Sequence, residues 1–185
     1  KFLDTEFVVA RSGWSKQGGF EIYVDGSDYG MPLWDAFFKA GKDLNVRAGC
    51  PNLIERIEGG LLSYGSDMTR QNTPVEAGLA RFCNSSDEYL GKTKIEKQKR
   101  EGPDRIIRPI SISGGDDLPH NANGWRVLSN NKQVGLIASA TWSPNFQTNV
   151  AIGMIDRAHW NPGTILNVDT GTDNRSAVVQ EKFWI

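Results

Sequence analysis

The sequence predicts an α+β unit followed by a small all-β domain, and three observations carry that reading. Up to about residue 90, strand-like alternation and helix-like spacing interleave. Residues 91–103 form one charged helical segment closed by Gly102-Pro103. After Pro103 come six short strand-like runs separated by turn residues, without a convincing helix, as in a small barrel or sandwich. The chain therefore divides into residues 1–90, a linker helix over 91–103, and a β domain over 104–185.

The first unit opens on a strand over residues 6–11. A loop, Ser12-Gly13-Trp14-Ser15-Lys16-Gln17-Gly18-Gly19, leads to a second strand over 20–24. Because strand side chains alternate faces, Phe20, Ile22 and Val24 share an apolar side while Glu21 and Tyr23 project together on the other. A carboxylate beside a phenol is either the solvated face of an edge strand or one wall of a binding site. Trp14, carried by a glycine-rich loop directly in front of the pair, favours the wall. A turn over 25–29 precedes an amphipathic helix marked by Leu33, Trp34, Phe37, Phe38 and Ala40 and stopped at Gly41, with its aromatics expected in the core.

A short segment over 44–47 follows, then a second helix from Pro51, with Leu53, Ile54, Ile57 and Leu61 at helical spacing and Gly65 as its stop. Gly59 and Gly60 lie inside that span. Each costs a helix about 1 kcal/mol relative to alanine, so the pair implies close approach of another element or a flat ligand, packing being the simpler cause. Beyond Gly65 the polar residues Asp67, Thr69 and Thr73 cross a surface towards 75–82. The helix over 91–101 interleaves Lys92, Lys94, Lys97, Lys99 and Arg100 with Glu96 and Glu101, a solvated face rather than a nucleic-acid patch. Strands are expected over 105–113, 125–128, 134–140, 150–155, 164–168 and 177–184, with turns at Asn130-Asn131 and 171–174.

Composition narrows the function classes. The 185 residues are 38% hydrophobic and 23% charged, with a net charge of -1, which favours neither nucleic acid nor an anionic membrane as partner. No apolar run approaches the ~20 residues that span a bilayer, and no signal-peptide pattern opens the chain, so a cytoplasmic protein is expected. Two cysteines, Cys50 and Cys83, lack metal or redox spacing and are expected as buried thiols. Two histidines, His120 and His159, leave little scope for a metal site or a histidine-based triad. The chain begins with Lys1 and is in a strand within a few residues, from which a longer polypeptide upstream is expected.

Arg56-Ile57-Glu58-Gly59-Gly60-Leu61-Leu62-Ser63-Tyr64-Gly65-Ser66-Asp67, followed by Thr73-Pro74-Val75-Glu76-Ala77-Gly78-Leu79, resembles the signature of the glycine-cleavage T-protein (aminomethyltransferase) family of tetrahydrofolate enzymes. Within it, residues 12–23 and 48–58 are most similar to the dimethylsulfoniopropionate demethylases of marine bacteria. T-proteins usually carry a Thr-Gly-Glu-Asp-Gly type loop where this chain has Ser15-Lys16-Gln17-Gly18-Gly19. The resemblance is specific up to about Gly91 and rests in the β domain on Val134-Gly135 and Ser143-Pro144.

The resemblance implies that residues 1–90 are the second half of a tetrahydrofolate-binding α+β domain, that 104–185 are its C-terminal barrel, and that three domains ring a central folate cavity. The N-terminal half of the same protein would supply the remaining strands and the catalytic residues, including an aspartate. Of the residues present, it implies Glu21 as the anchor of the pterin ring, Tyr23 bordering it, and Trp14 stacking on pterin or facing a sulfonium substrate. Arg56 either reaches a carboxylate of the folate tail or pairs with Glu58 or Asp67. Tyr64 and Glu76 are expected to be structural. The implied reaction moves an S-methyl group from dimethylsulfoniopropionate to N5 of tetrahydrofolate, without a metal. The alternatives are an aminomethyl transfer and, for this piece alone, folate binding without turnover. Oligomeric state is left open, a homodimer included.

Overall fold

The computed structural model describes residues 2–14, 18–50 and 52–185. Lys1, the loop positions Ser15, Lys16 and Gln17, and Pro51 as the opening of a helix lie outside the described residues. Packing separates two units, residues 1–52 and 53–185. Residues 53–90 pack on the barrel because their helix shares a buried cluster with it.

In the first unit, β1 (Val8–Ala10) pairs antiparallel with β2 (Glu21–Tyr23), with Val8 opposite Tyr23 and Ala10 opposite Glu21. Directly paired residues share a face, so Val8, Ala10, Glu21 and Tyr23 lie on one side and Val9 and Ile22 on the other. The helix α1 (Gly30–Ala40) carries Leu33, Ala36, Phe37 and Ala40 at positions i, i+3, i+4 and i+7, one continuous stripe. That stripe and the Val9/Ile22 face line an open apolar hollow of about 320 Å3. Gly41 ends the helix, its N–H donating to Phe37 O at 2.8 Å; a Cβ there would sit 2.1 Å from Val46 Cγ2.

Among the described residues of this unit only Gly41 is buried. Trp34 and Phe37 remain 49% and 53% exposed, against the expectation that the helix aromatics form a core. Two three-residue strands offer too little apolar area to cover a three-turn helix. Phe20, expected on the apolar face, is exposed with the Arg11 guanidinium 4.8 Å over its ring. Cys50 is exposed and Cys83 partly buried, which corrects the expectation of two buried thiols.

The second unit is built on a closed six-stranded antiparallel barrel in the order β3-β6-β5-β4-β7-β8. The strands are β3 (Arg105–Ile112), β4 (Trp125–Ser129), β5 (Lys132–Ser143), β6 (Thr148–Asp156), β7 (Ile165–Asp169) and β8 (Asn174–Val179). Asn130 and Asn131 both take positive φ, 49° and 63°, which is the two-residue hairpin turn that matches strand twist. Inward-facing Ile110, Val127, Ile137, Ile155, Val168 and Val179 fill the barrel. The last strand ends at Val179 rather than continuing to Trp184, because the chain leaves the barrel to cap a helix. Arg175 ties β8 to Asp117 and Asp173, and the hydrogen bond from Arg175 holds the Asp117 carboxyl below the usual carboxylate range.

That capped helix is α2 (Leu53–Glu58), shorter than the sequence spacing predicts. Gly60 takes φ +66°, its N–H donates to Ile57 O, and the Leu61 N–H donates to Arg56 O at 2.9 Å, a six-to-one closure that stops the helix. The close approach implied by the glycine pair comes from protein: a Cβ on Gly60 would lie 2.4 Å from the Phe183 ring. Gly60→Ala is expected to destabilise this unit by about 2–4 kcal/mol, from left-handed strain plus overpacking. Urea denaturation would measure it, and an unchanged midpoint would contradict the account.

Ile57 joins Ile107, Val150 and Ile152 in a second cluster on the outside of the barrel. The linker helix α3 (Lys92–Glu101) runs between Gly91 and Gly102 and buries only Ile95. Before it, Thr73 and Glu76 exchange hydrogen bonds, each side chain accepting from the other's backbone N–H. No helix among the described residues is long and apolar enough to cross a membrane.

Candidate functional site

Two groups of polar side chains stand out, one in each unit. The first lies on the Glu21/Tyr23 face of the small sheet. Ser12 follows β1 by two residues and so returns to the face of Ala10, the register partner of Glu21. Its hydroxyl donates to Glu21 Oε2. Among the described residues no donor is recorded on Oε1, and no cation pairs with the carboxylate. Tyr23, two positions along the same face, is 59% exposed. Trp14 is held by its indole N–H, which donates to Asn52 O at 2.9 Å, and is 41% exposed. The sheet thus presents an acceptor-only group, oriented at one oxygen, beside a phenol. A ligand edge with two parallel N–H donors suits it, because an ionised carboxylate offers about four acceptor positions and one is taken.

The second group is buried between α2 and β5. Arg56 Nη1 donates to Asp67 Oδ2 at 2.6 Å and to Leu61 O at 2.9 Å, and Nη2 donates to Ser139 Oγ at 2.7 Å. Ser139 in turn donates to Asp67 Oδ1 at 2.7 Å, and the Ser63 N–H donates to Oδ2 at 2.7 Å. The two charged side chains are 3% and 0% exposed. A β-bulge in β5 between Ile137 and Ser139 makes this possible. With one extra residue there, Ile137 faces the barrel core and Ser139 faces out. Ser143, four pairs further along, donates to the buried Glu58 carboxylate at 2.6 Å.

Of the readings open for Arg56, the geometry supplies the ion pair with Asp67. A guanidinium so engaged and enclosed presents no free edge to a folate carboxylate. The loop it fastens forms one side of a cavity of about 470 Å3, with Ser66, Asp67, Asn72, Arg105, Gln133 and Asp156 among its lining. Sequence reasoning passed over Ser12 and Ser139. Ser12 was legible in principle, as a hydroxyl two residues past a strand on the face of Glu21. Ser139 was not, since its partners lie 72 and 83 residues away. Among the described residues no group of three His, Cys, Asp or Glu side chains is placed to hold a metal ion.

Two family models, which between them cover most of the chain, show that it belongs to the glycine-cleavage T-protein family. Residues 1–87 match the GCVT N-terminal domain, and residues 107–184 match the glycine cleavage T-protein C-terminal barrel domain. Over 183 residues the chain is 58% identical to dimethylsulfoniopropionate demethylase DmdA of Ruegeria pomeroyi, covering 99% of this chain and 50% of that protein. It is 30% identical over 154 residues to an aminomethyltransferase of Caldanaerobacter subterraneus, covering 81% of this chain and 40% of that one. The crystal structure of glycine cleavage system aminomethyltransferase T from Bartonella henselae shares the fold, with a TM-score of 0.78 at 22% identity over 100% of this chain and 51% of that one. The chain spans about half the length, or less, of the curated relatives it matches. Similarity to the demethylase extends through the barrel, where the motifs alone carried little.

Proposed function

We propose that the intact protein transfers a methyl group from dimethylsulfoniopropionate to tetrahydrofolate, releasing 3-(methylthio)propanoate and 5-methyltetrahydrofolate. The observation that carries this is the 58% identity to a protein of that name across both units. In this reading residues 1–90 are the C-terminal part of the folate-binding domain and 104–185 its barrel. Glu21 accepts the ring N–H and exocyclic amino group of the pterin in a fork. Tyr23 borders the ring on the same face. Trp14, fixed through its indole N–H, offers its ring to the pterin or to the sulfonium cation, a contact worth roughly 0.5–2 kcal/mol. Arg56 serves by fastening the loop that carries Ser66 and Asp67 rather than by touching folate.

Bound tetrahydrofolate supplies N5, whose lone pair takes the methyl carbon as the S–C bonding pair returns to sulfur and the N5 proton leaves to solvent. A sulfonium is already a good leaving group, so the residues described have no proton to move. Their work is alignment and exclusion of water. The same reading places the protein in the cytoplasm of a marine bacterium, acting on small molecules.

Relatives named aminomethyltransferase, at 30–33% identity, favour a second reading in which an aminomethyl group is the donor. Incubating the intact protein with tetrahydrofolate and either donor, then identifying the folate product by mass, separates the two. 5-Methyltetrahydrofolate is expected from dimethylsulfoniopropionate. 5,10-Methylenetetrahydrofolate formed from the aminomethyl donor, with no methyl product, would overturn the proposal. Residues 1–185 alone are expected to bind folate without turnover.

A further inference from the structure

We propose that Ser12 is a positioning residue for the folate site, acting through Glu21. This rests on the reading of Glu21 as the pterin anchor and adds to it a second residue with its own test. Three features carry it. Ser12 lies two residues beyond Ala10, the register partner of Glu21, so its side chain returns to the Glu21/Tyr23 face. Its hydroxyl donates to Oε2 alone, leaving Oε1 without a recorded donor among the described residues. No arginine or lysine among them pairs with the carboxylate, so this hydroxyl is the one recorded contact that orients it.

An exposed glutamate on a three-residue strand otherwise samples many rotamers, and a ligand that needs both oxygens in one plane must order it on binding. A hydroxyl bonded to one oxygen in advance restricts the carboxylate before the ligand arrives. It consumes one acceptor position and leaves the remainder, which still accommodates two parallel N–H donors. The loop chemistry fits this use. Serine has a short side chain with a single rotor that carries the hydroxyl, so few conformations compete with the one that meets Glu21. The group is a donor here because an ionised carboxylate only accepts, so the interaction is lost if position 12 carries no hydroxyl and kept by any short hydroxyl side chain.

The experiment uses the intact protein and compares Ser12→Ala, Ser12→Thr, Glu21→Ala and the double variant S12A/E21A. Equilibrium binding of tetrahydrofolate, steady-state kinetics and melting temperature are measured for each. Ser12→Ala is expected to weaken tetrahydrofolate binding about tenfold, raising KM for folate more than it lowers kcat. Ser12→Thr should recover binding to within about twofold of the parent, since it restores the hydroxyl. The double variant should bind no worse than Glu21→Ala, the non-additivity expected when one residue acts through the other. If Glu21→Ala loses binding and Ser12→Ala does not, the role of Ser12 is overturned while the folate site stands. Additive losses would also overturn it, because Ser12 would then act elsewhere. If Glu21→Ala binds tetrahydrofolate like the parent, both the anchor and its positioning residue fall. Melting temperatures close to that of the parent would show that these losses are not unfolding.

Discussion

In the intact protein, Glu21→Ala is expected to weaken tetrahydrofolate binding by about 30- to 100-fold, the cost of removing the acceptor from two charge-assisted hydrogen bonds. The expectation follows from placement. Glu21 is on the exposed face of a two-stranded sheet, its one partner among the described residues is a neutral hydroxyl, and a phenol stands beside it. Among the described residues no ion pair shields the carboxylate, so there a fork of donors meets little competition. Glu21→Gln is the sharper companion: it keeps the shape but replaces one acceptor with a donor, so it should bind no better than alanine. Calorimetric titration would measure both, and parental affinity in either variant would remove Glu21 from the pterin site. The fold should be unaffected, because the side chain packs against nothing buried.

The second large effect concerns stability. Asp67→Ala is expected to destabilise the barrel unit by about 3–5 kcal/mol, since it leaves the Arg56 guanidinium buried without its counter-charge. A melting temperature lower by on the order of 10 °C would accompany that loss. Three groups lose a partner together: the guanidinium, the Ser139 hydroxyl and the Ser63 N–H. The double variant Arg56→Met with Asp67→Leu removes both charges, so it should be more stable than Asp67→Ala alone. The reverse order would show that the pair stabilises the fold beyond the cost of burying it. Because Asp67 and Ser66 border the 470 Å3 cavity, Asp67→Ala should also disturb that loop, visible as faster amide exchange over residues 63–72.

Local chemistry made much of this protein legible. The barrel strands are short runs set apart by turn residues, and the Asn130-Asn131 turn needs only its own backbone preference. The linker helix is bounded by Gly91 and Gly102, both with positive φ. Pairing Glu21 with Tyr23 on one face required nothing beyond the two-residue period of a strand. By contrast, the helix carrying Arg56 was read too long, because Leu61 continues its spacing. The glycine pair stops that helix, and Leu62 packs against the cluster around Ile57 instead.

What the sequence by itself determined is the order of the elements, the all-β character of the second half, and the motifs of the glycine-cleavage T-protein family. Tertiary structure alone decided which partner Arg56 takes, why Gly60 must lack a side chain, and where packing divides the chain. The physical reason is range. Alternation, helical spacing and turn preference act over a few residues, whereas the Arg56–Ser139 hydrogen bond spans 83 residues and the Phe183 ring lies against Gly60 from near the other end of the chain, and only the closed barrel brings them within a few ångströms.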